Sequence, residues 1–483
     1  MNQNNGKGMT LGAGNKKWQV FMLVGVSIFM STLDSSIVNV ALPYIMEDLS
    51  SDVRTVQWVV VVYLLTVSSL LLTFGRLSDI RGRRQIYVIG FLVFTAGSFL
   101  CAQAWTSWVL VGARLVQGIG ASMLMACSPA LVVDVFPQTE RGKALGMMGA
   151  VVAAGLTLGP LAGGMILTYF SWRLIFYINI PIGVMAVAAG ILVLRDLPGK
   201  DGNREPLDKA GSFLLMVFLC GLIVTLVRIP DWGVFSLKTG LGMMTAVTCG
   251  VIFFLNEARS AYPLLDPGLM KIRLFIFPLM ATAILFASLF LLVFMMPFYL
   301  TYPGGFTASK TGIIMIVPFL FLLIISPVSG ILADRLGSRL LCTLGMTFMC
   351  LSLFFLIFLS PESDDFAIVW RMALAGIGTA LFVSPNNTAI MGAVAVHQRG
   401  IASGATATAR TLGMVFGVAL AGTIFSAFLT FQGKGMDTYV PAMAPAFMAG
   451  FRHVMAAGTF LAAIGVAVTL SRGKESRKCN GPV

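Results

Sequence analysis

Asp34 is the one carboxylate set deep within an unbroken apolar stretch, eight residues before Leu42 at its far end. At the rise of a helix this is a depth of roughly 12 Å. Arg114 lies about seven residues into another apolar stretch, a depth of roughly 10 Å. Equal depth lets the two meet, and ionisable groups inside such stretches are costly unless they pair or work. A carboxylate taken out of water has its charged form disfavoured, which suits it to loading and releasing a proton. The chemistry to expect is proton exchange, with a proton, Arg114 and a ligand competing for Asp34. A purely structural ion pair is the alternative.

Other chemistry finds little support. Seven cysteines (Cys101, Cys127, Cys220, Cys249, Cys342, Cys350, Cys479) are scattered without a CxxC pair, and His397 and His453 are the only histidines. These read as small buried hydrophobes rather than as metal or disulfide sites. There is no HExxH, no Walker loop and no cluster of His, Cys and acids, so neither a catalytic residue nor a metal is expected. Asn386-Asn387-Thr388 matches a glycosylation sequon but lies within an apolar block and is discounted.

Two further runs carry spacing that charge or composition alone does not explain. Gly75-Arg76-Leu77-Ser78-Asp79-Ile80-Arg81-Gly82-Arg83-Arg84 offers glycines for a tight turn and charges that can latch and release one face. Simple anchoring by positive charge would explain its arginines but not the Gly/Asp spacing. Gly155-x-x-x-Gly159-Pro160-x-x-Gly163-Gly164 has small residues four apart, as in any close helix packing, and adds a proline and paired glycines that suggest a moving bend. Candidates for lining a ligand cavity are Ser31 and Ser35, which share a face with Ser27, Asp34 and Val38, and Asn39. Tyr63, Gln117, Met295, Tyr299 and the intrahelical cations Arg371 and Arg410 complete the set.

The elements that must position these residues are membrane-crossing helices. Hydrophobic residues make up 57% of 483 positions and charged ones 11%, far below the roughly 25% charge of a soluble domain. Fourteen apolar blocks reach the roughly 20 residues that a crossing needs. They span about 18–42, 56–75, 86–104, 107–131, 144–168, 174–194, 210–228, 236–256, 275–300, 310–332, 340–360, 366–391, 400–428 and 445–470. Lys7, Lys16 and Lys17 precede a first block too long for a removable leader, so it reads as a retained helix.

An even number of crossings puts both termini on one side. Of the 33 Lys and Arg, twenty-three fall on the side of the termini, seven on the other and three within helices. The positive-inside rule makes the first side cytoplasmic. The net charge of +13 therefore follows membrane topology rather than forming a nucleic-acid patch.

The chain also repeats itself. Pro43 returns as Pro297; Gly75, Asp79 and Gly82 as Gly330, Asp334 and Gly337; Arg114 as Arg371; Ser128-Pro129 as Ser384-Pro385. Arg141-Gly142 and Gly155-x-x-x-Gly159 return as Arg399-Gly400 and Gly413-x-x-x-Gly417, all at offsets of 254–258. Two parallel six-helix halves, 18–194 and 274–470, follow, with two extra crossings and polar linkers in 195–273 and tails at 1–17 and 471–483. The fold class is an all-α polytopic membrane protein. Such repeats place a substrate site near the midplane, between halves that rock.

The Gly75–Arg84 run and the repeat resemble the signature loop and architecture of the major facilitator superfamily across nearly the whole chain. Leu33-Asp34-Ser35-Ser36-Ile37-Val38-Asn39-Val40-Ala41-Leu42-Pro43 is similar to the first-helix motif of its fourteen-helix drug:proton antiporter branch. Arg114 with Gln117-Gly118-Ile119-Gly120 is similar to the fourth-helix motif, Gly155–Gly164 to the fifth-helix antiporter motif, and Trp172-Arg173 through Asn179-x-Pro181 also fits.

The resemblance implies a proton-coupled exporter of small amphipathic compounds in a bacterial inner membrane, driven by the proton gradient without a cofactor and working as a monomer. It implies proton coupling at Asp34 and Arg114, a conformational gate at Gly75, Asp79, Arg81, Gly82, Arg83, Asp334 and Arg335, and an antiporter helix at Gly155, Gly159, Pro160, Gly163 and Gly164. A dedicated exporter of one metabolite or lipid-like molecule is the rival reading; an importer or an intramembrane enzyme is less favoured. Polycation exporters of the branch carry further acids in later helices; here the tenth and thirteenth crossings have none, the thirteenth holds Arg410, and the interior sets one Asp against Arg114, Arg371 and Arg410. Unpaired cations repel dications, so monocationic, zwitterionic, neutral or anionic amphiphiles are expected.

Overall fold

A computed structural model describes residues 8–195, 208–260, 267–395, 398–431 and 441–473. Fourteen of its helices are long and apolar enough to cross a membrane. In chain order they are α1 (Gly8–Asp48), α2 (Val53–Arg81), α3 (Arg83–Ala102), α4 (Ser107–Val135), α5 (Arg141–Tyr169), α6 (Leu174–Val193) and α7 (Lys209–Trp232). Then follow α8 (Leu237–Arg259), α9 (Arg273–Thr301), α10 (Ala308–Leu336), α11 (Ser338–Leu356), α12 (Asp365–Gly392), α13 (Arg399–Phe431) and α14 (Ala444–Ser471).

Each expected block has its helix, and most helices run a turn or two beyond it. Helix α1 starts at Gly8, inside the segment expected as a tail, and continues past Pro43 to Asp48. Polar residues at the ends of a crossing can stay helical, because their side chains reach the interface while the backbone bonds remain within the helix. The linker segments 196–207 and 261–266, His397 and Cys479 lie outside the described residues.

The two ends of the bundle are built differently. At the end distal to the termini, side-chain caps start α2, α4 and α12: Asp52 accepts from the Thr55 N–H at 2.9 Å, Thr106 from Val109 at 3.3 Å, and Asp364 from Ala367 at 3.1 Å. At the terminal end, α2 turns into α3 at Gly82 (φ 96°) and α10 into α11 at Gly337 (φ 86°). Only glycine adopts that backbone cheaply, so the repeated turn explains the repeated glycine.

Close packing of small residues holds each half together, as expected where lipid removes the hydrophobic drive between helices. A Cβ on Gly120 of α4 would strike the backbone of Phe94 in α3. At the corresponding place in the second half, a Cβ on Gly378 of α12 would lie 2.5 Å from the Gly345 carbonyl of α11. The extra pair sits outside this frame. Helix α7 packs on α2 and α13 through Thr423, whose hydroxyl donates to the Leu226 carbonyl at 3.0 Å, and through an Arg54–Asp231 ion pair at 2.7 Å. Helix α8 packs on α7 and exposes Leu241, Met244, Val247, Val251 and Phe254.

The halves meet at the distal end. Gly164 of α5 lies against α10, where a Cβ on Gly312 would be 2.5 Å from the Pro160 carbonyl and 3.0 Å from Gly164 Cα. On the other flank, Gln57 of α2 lies on Gly422 of α13 and donates to the Ala419 carbonyl at 3.3 Å. Tyr302 at the end of α9 donates to the Pro43 carbonyl at 3.2 Å. Toward the termini, Gly142, Gly146 and Gly149 on α5 and Gly400 on α13 have open space around them. The conformation is closed distally.

Candidate functional site

Asp34 and Arg114 do meet. Arg114 Nη1 donates to Asp34 Oδ2 at 2.5 Å, and neither side chain retains more than 1% exposure. The helix lengths place Asp34 near the middle of the Lys16–Asp48 span. A bare buried pair is costly unless the remaining lone pairs and protons are satisfied, and here Asp34 Oδ1 and Arg114 Nε have partners as well. Gln117 Nε2 donates to Asp34 Oδ1 at 2.9 Å and to Ser98 Oγ at 2.8 Å, and its own Oε1 accepts from Arg114 Nη1 at 2.6 Å. Asn179 Nδ2 reaches Asp34 Oδ1 at 3.3 Å. Arg114 Nε donates to the Val59 carbonyl at 3.1 Å, and its guanidinium lies 4.0 Å from the centre of the Tyr63 ring, a favourable cation–π position.

Five helices of the first half thus converge: α1 with Asp34, α2 with Val59 and Tyr63, α3 with Ser98, α4 with Arg114 and Gln117, α6 with Asn179. Gly97 makes the α3 contribution possible, since a Cβ there would lie 2.5 Å from the Gln117 nitrogen. Sequence reasoning missed Ser98, and took Asn179 only as part of a motif. Asn179 could have been found as an amide standing alone among apolar neighbours; Ser98 offers no such signal.

The Gly155–Gly164 run belongs to the same construction. A Cβ on Gly155 would collide with Thr32, one on Gly159 with Ser36, and one on Gly163 would lie 3.0 Å from Ile37. Three of its glycines therefore seat α5 on α1 on both sides of Asp34, and the fourth, Gly164, faces the other half. Helix α5 remains continuous through Pro160.

The signature loop ties three helices of one half. Arg83 bonds Asp79 at 2.8 Å, pairs with Asp134 at the end of α4, and donates to the Ala130 carbonyl at 3.1 Å. Gly75 sits within α2 rather than in the turn, and Arg81 is exposed. In the second half, Asp334 and Arg335 are exposed and form no ion pair among the described residues. There Arg339 instead donates to the Leu470 carbonyl, and buried Arg472 bonds Ser338, joining α11 to the end of α14.

The cavity candidates divide. Ser31, Asn39, Tyr63, Gln117, Met295 and Tyr299 are buried, with Tyr299 donating to the Ser360 carbonyl at 2.7 Å. Ser35, Arg371 and Arg410 keep partial exposure. Arg371, the repeat counterpart of Arg114, has no acid beside it among the described residues; it donates to the Ala367 carbonyl of its own helix at 2.7 Å and lies 4.9 Å from the Trp370 ring. At the offset relating Pro43 to Pro297, Asp34 corresponds to Ser288, a fully buried serine whose hydroxyl has no partner among the described residues. Among the described residues no group of His, Cys, Asp and Glu could hold a metal.

Known proteins resemble this chain over most of its length. The model of the Major Facilitator Superfamily matches residues 24–418. The riboflavin transporter RibZ of Clostridioides difficile is 34% identical over 420 residues, covering 87% of this chain and 90% of RibZ. The multidrug resistance protein Stp of Mycobacterium tuberculosis is 32% identical, over 84% of this chain and 75% of Stp. The methylenomycin A resistance protein of Bacillus subtilis is 30% identical, over 86% and 89%. Among solved structures, the peptide transporter POT superposes with a TM-score of 0.67 at 16% identity, over 94% of each chain, which speaks to the fold alone. With the tandem halves, the paired loops and these relatives in agreement, the chain belongs to the Major Facilitator Superfamily, as a membrane-spanning transporter and not an enzyme.

Proposed function

We propose that this transporter is a proton-coupled antiporter that exports small amphipathic compounds by alternating access, from a bacterial inner membrane with both termini in the cytoplasm. The observation that carries the reading is the position of Asp34 between the two distal seam contacts. Arg114 holds the Val59 carbonyl of α2, and Gln57, two residues away, closes one flank of the seam. Gly155 and Gly159 seat α5 on either side of Asp34, and Gly164, five residues beyond Gly159, closes the other flank.

A proton arriving at Asp34 Oδ2 takes the place of the Arg114 ion pair. Gln117 and Asn179 keep their bonds to Oδ1, and the freed guanidinium retains the Val59 carbonyl and the Tyr63 ring. Because α2 carries both Val59 and Gln57, a shift of Arg114 is felt at the seam. The proton thereby changes the relative stability of the closed and open states, which is the requirement for a ligand that drives a conformational change. Release of the proton restores the pair. No cofactor and no second copy of the chain enter this scheme.

Multidrug resistance relatives favour a broad cargo, and the similarity to RibZ favours a second reading, transport of one metabolite. Everted vesicles under an imposed proton gradient test both. Gradient-dependent accumulation of an amphipathic dye, abolished by a protonophore and competed by unrelated compounds, is the result expected. Competition by a single compound alone would favour the second reading, and accumulation indifferent to the gradient would contradict antiport.

A further inference from the structure

Arg410 is an intrahelical cation that the proton site does not use. It has no hydrogen-bond or ion-pair partner among the described residues, and no acidic side chain lies close to it. Its side chain is mostly buried but keeps partial exposure. Arg410 lies eleven residues into α13 from Arg399, a depth of roughly 16 Å.

The register of α13 gives its direction. Leu412, Phe416, Leu420 and Ile424, at every fourth position, are partly exposed and form the outward stripe. One position further on, Gly413 and Gly417 lie on Ala283 and Ala287 of α9. The stripe opposite the outward one runs Arg410, Met414, Val418 and Gly422. Gly422 meets Gln57 of the other half, Val418 and Met414 are buried, and Arg410 is where this stripe becomes accessible. Arg410 therefore faces the seam between the halves, just on the terminal side of its closed part. At the repeat offset its counterpart in the first half is Val152, so the cation belongs to one half only.

An arginine stays charged at any physiological pH, and a charge facing a low-dielectric cavity needs a counter-charge. Among the described residues none stands beside Arg410. We propose that Arg410 is the anchor for an anionic group, a carboxylate or a comparable oxyanion, on the transported amphiphile. This sharpens the export reading and rests on it for the identity of the seam as the transport path. The guanidinium fork matches a carboxylate in two parallel hydrogen bonds, and the apolar remainder of the ligand would lie along the stripe beside Met414.

Equilibrium binding to the full-length protein in lipid nanodiscs tests this without requiring flux. The probes are dansylglycine, dansylleucine and dansylphenylalanine, each paired with its uncharged primary amide. The parent is expected to bind at least one acid about tenfold more tightly than its amide, the scale of a charge-assisted bidentate contact. Arg410→Gln should erase that preference while amide binding persists, and Arg410→Lys should restore part of it. A preference that survives in Arg410→Gln, amides bound as tightly as acids by the parent, or no acid bound at all would overturn the proposal. Loss of acid and amide binding in both variants would assign Arg410 a structural role and overturn it too. Preferential acid binding without gradient-driven export would sink the antiport reading and leave the anion site standing.

Discussion

Substituting Gly312 probes the distal seam most sharply. A Cβ there would lie 2.5 Å from the Pro160 carbonyl and 3.0 Å from Gly164 Cα, whereas ordinary contact begins at 3.4 Å. The obstructing atoms are backbone, so no side chain can swing away and the two helices must part by about 0.9 Å, the shortfall at the tighter contact. Overpacking of this kind costs about 1–3 kcal/mol, and it acts only in the distally closed state. Gly312→Ala should therefore favour the distally open state by a factor of roughly 5 to 150. Spin labels at Tyr169, at the distal end of α5, and Phe366, at the distal start of α12, are both exposed and report the separation of the halves. The distance distribution should move toward longer values in Gly312→Ala. It should not move in Gly149→Ala, because nothing lies near that glycine. An unchanged distribution in Gly312→Ala would refute the assignment of this contact as the closed seam.

Further predictions follow from individual contacts. Gly159→Leu drives a side chain into Ser36 and should abolish transport while leaving membrane insertion intact, as read by surface expression beside dye efflux. Arg114→Leu strands Asp34 in a dry site and should lower stability by about 3–5 kcal/mol. The double variant Asp34→Leu/Arg114→Leu should recover most of that loss in thermal unfolding yet remain inactive. Arg83→Ala removes bonds to Asp79, Asp134 and Ala130 and should raise hydrogen exchange at the end of α4, around 130–136. With Arg371 and Arg410 facing no acid among the described residues, a dication such as methyl viologen should be a far poorer substrate than a monocation of similar size, measured by efflux.

Much of this architecture was readable because a bilayer imposes length. Fourteen crossings, two tandem halves and the meeting of Asp34 with Arg114 follow from apolar block lengths, repeat offsets and equal depth. Which face of each helix turns inward is another matter. Lipid is as apolar as a packed interior, so the inward face leaves little trace in the pattern of apolar residues. Met295 and Tyr299 were candidates for a cavity wall and are packed away, whereas Arg410, chosen on charge alone, is accessible. Gly312 looked like any helical glycine, and only its approach to Gly164 reveals a seam. Asp334 and Arg335 repeat the signature loop in sequence, but Arg339 and Arg472 make the corresponding ties, because α14 ends beside α11, where the Leu470 carbonyl accepts from Arg339 and Arg472 reaches the Ser338 hydroxyl.

The central claim is that Asp34 carries the coupled proton. Proton release from acidified everted vesicles on adding amphipathic compounds, compared between the parent and Asp34→Asn, tests it most directly. The account predicts substrate-dependent release by the parent and none by Asp34→Asn, since an amide keeps the shape of the site but binds no proton. Equal release by both proteins would place the proton elsewhere and contradict it.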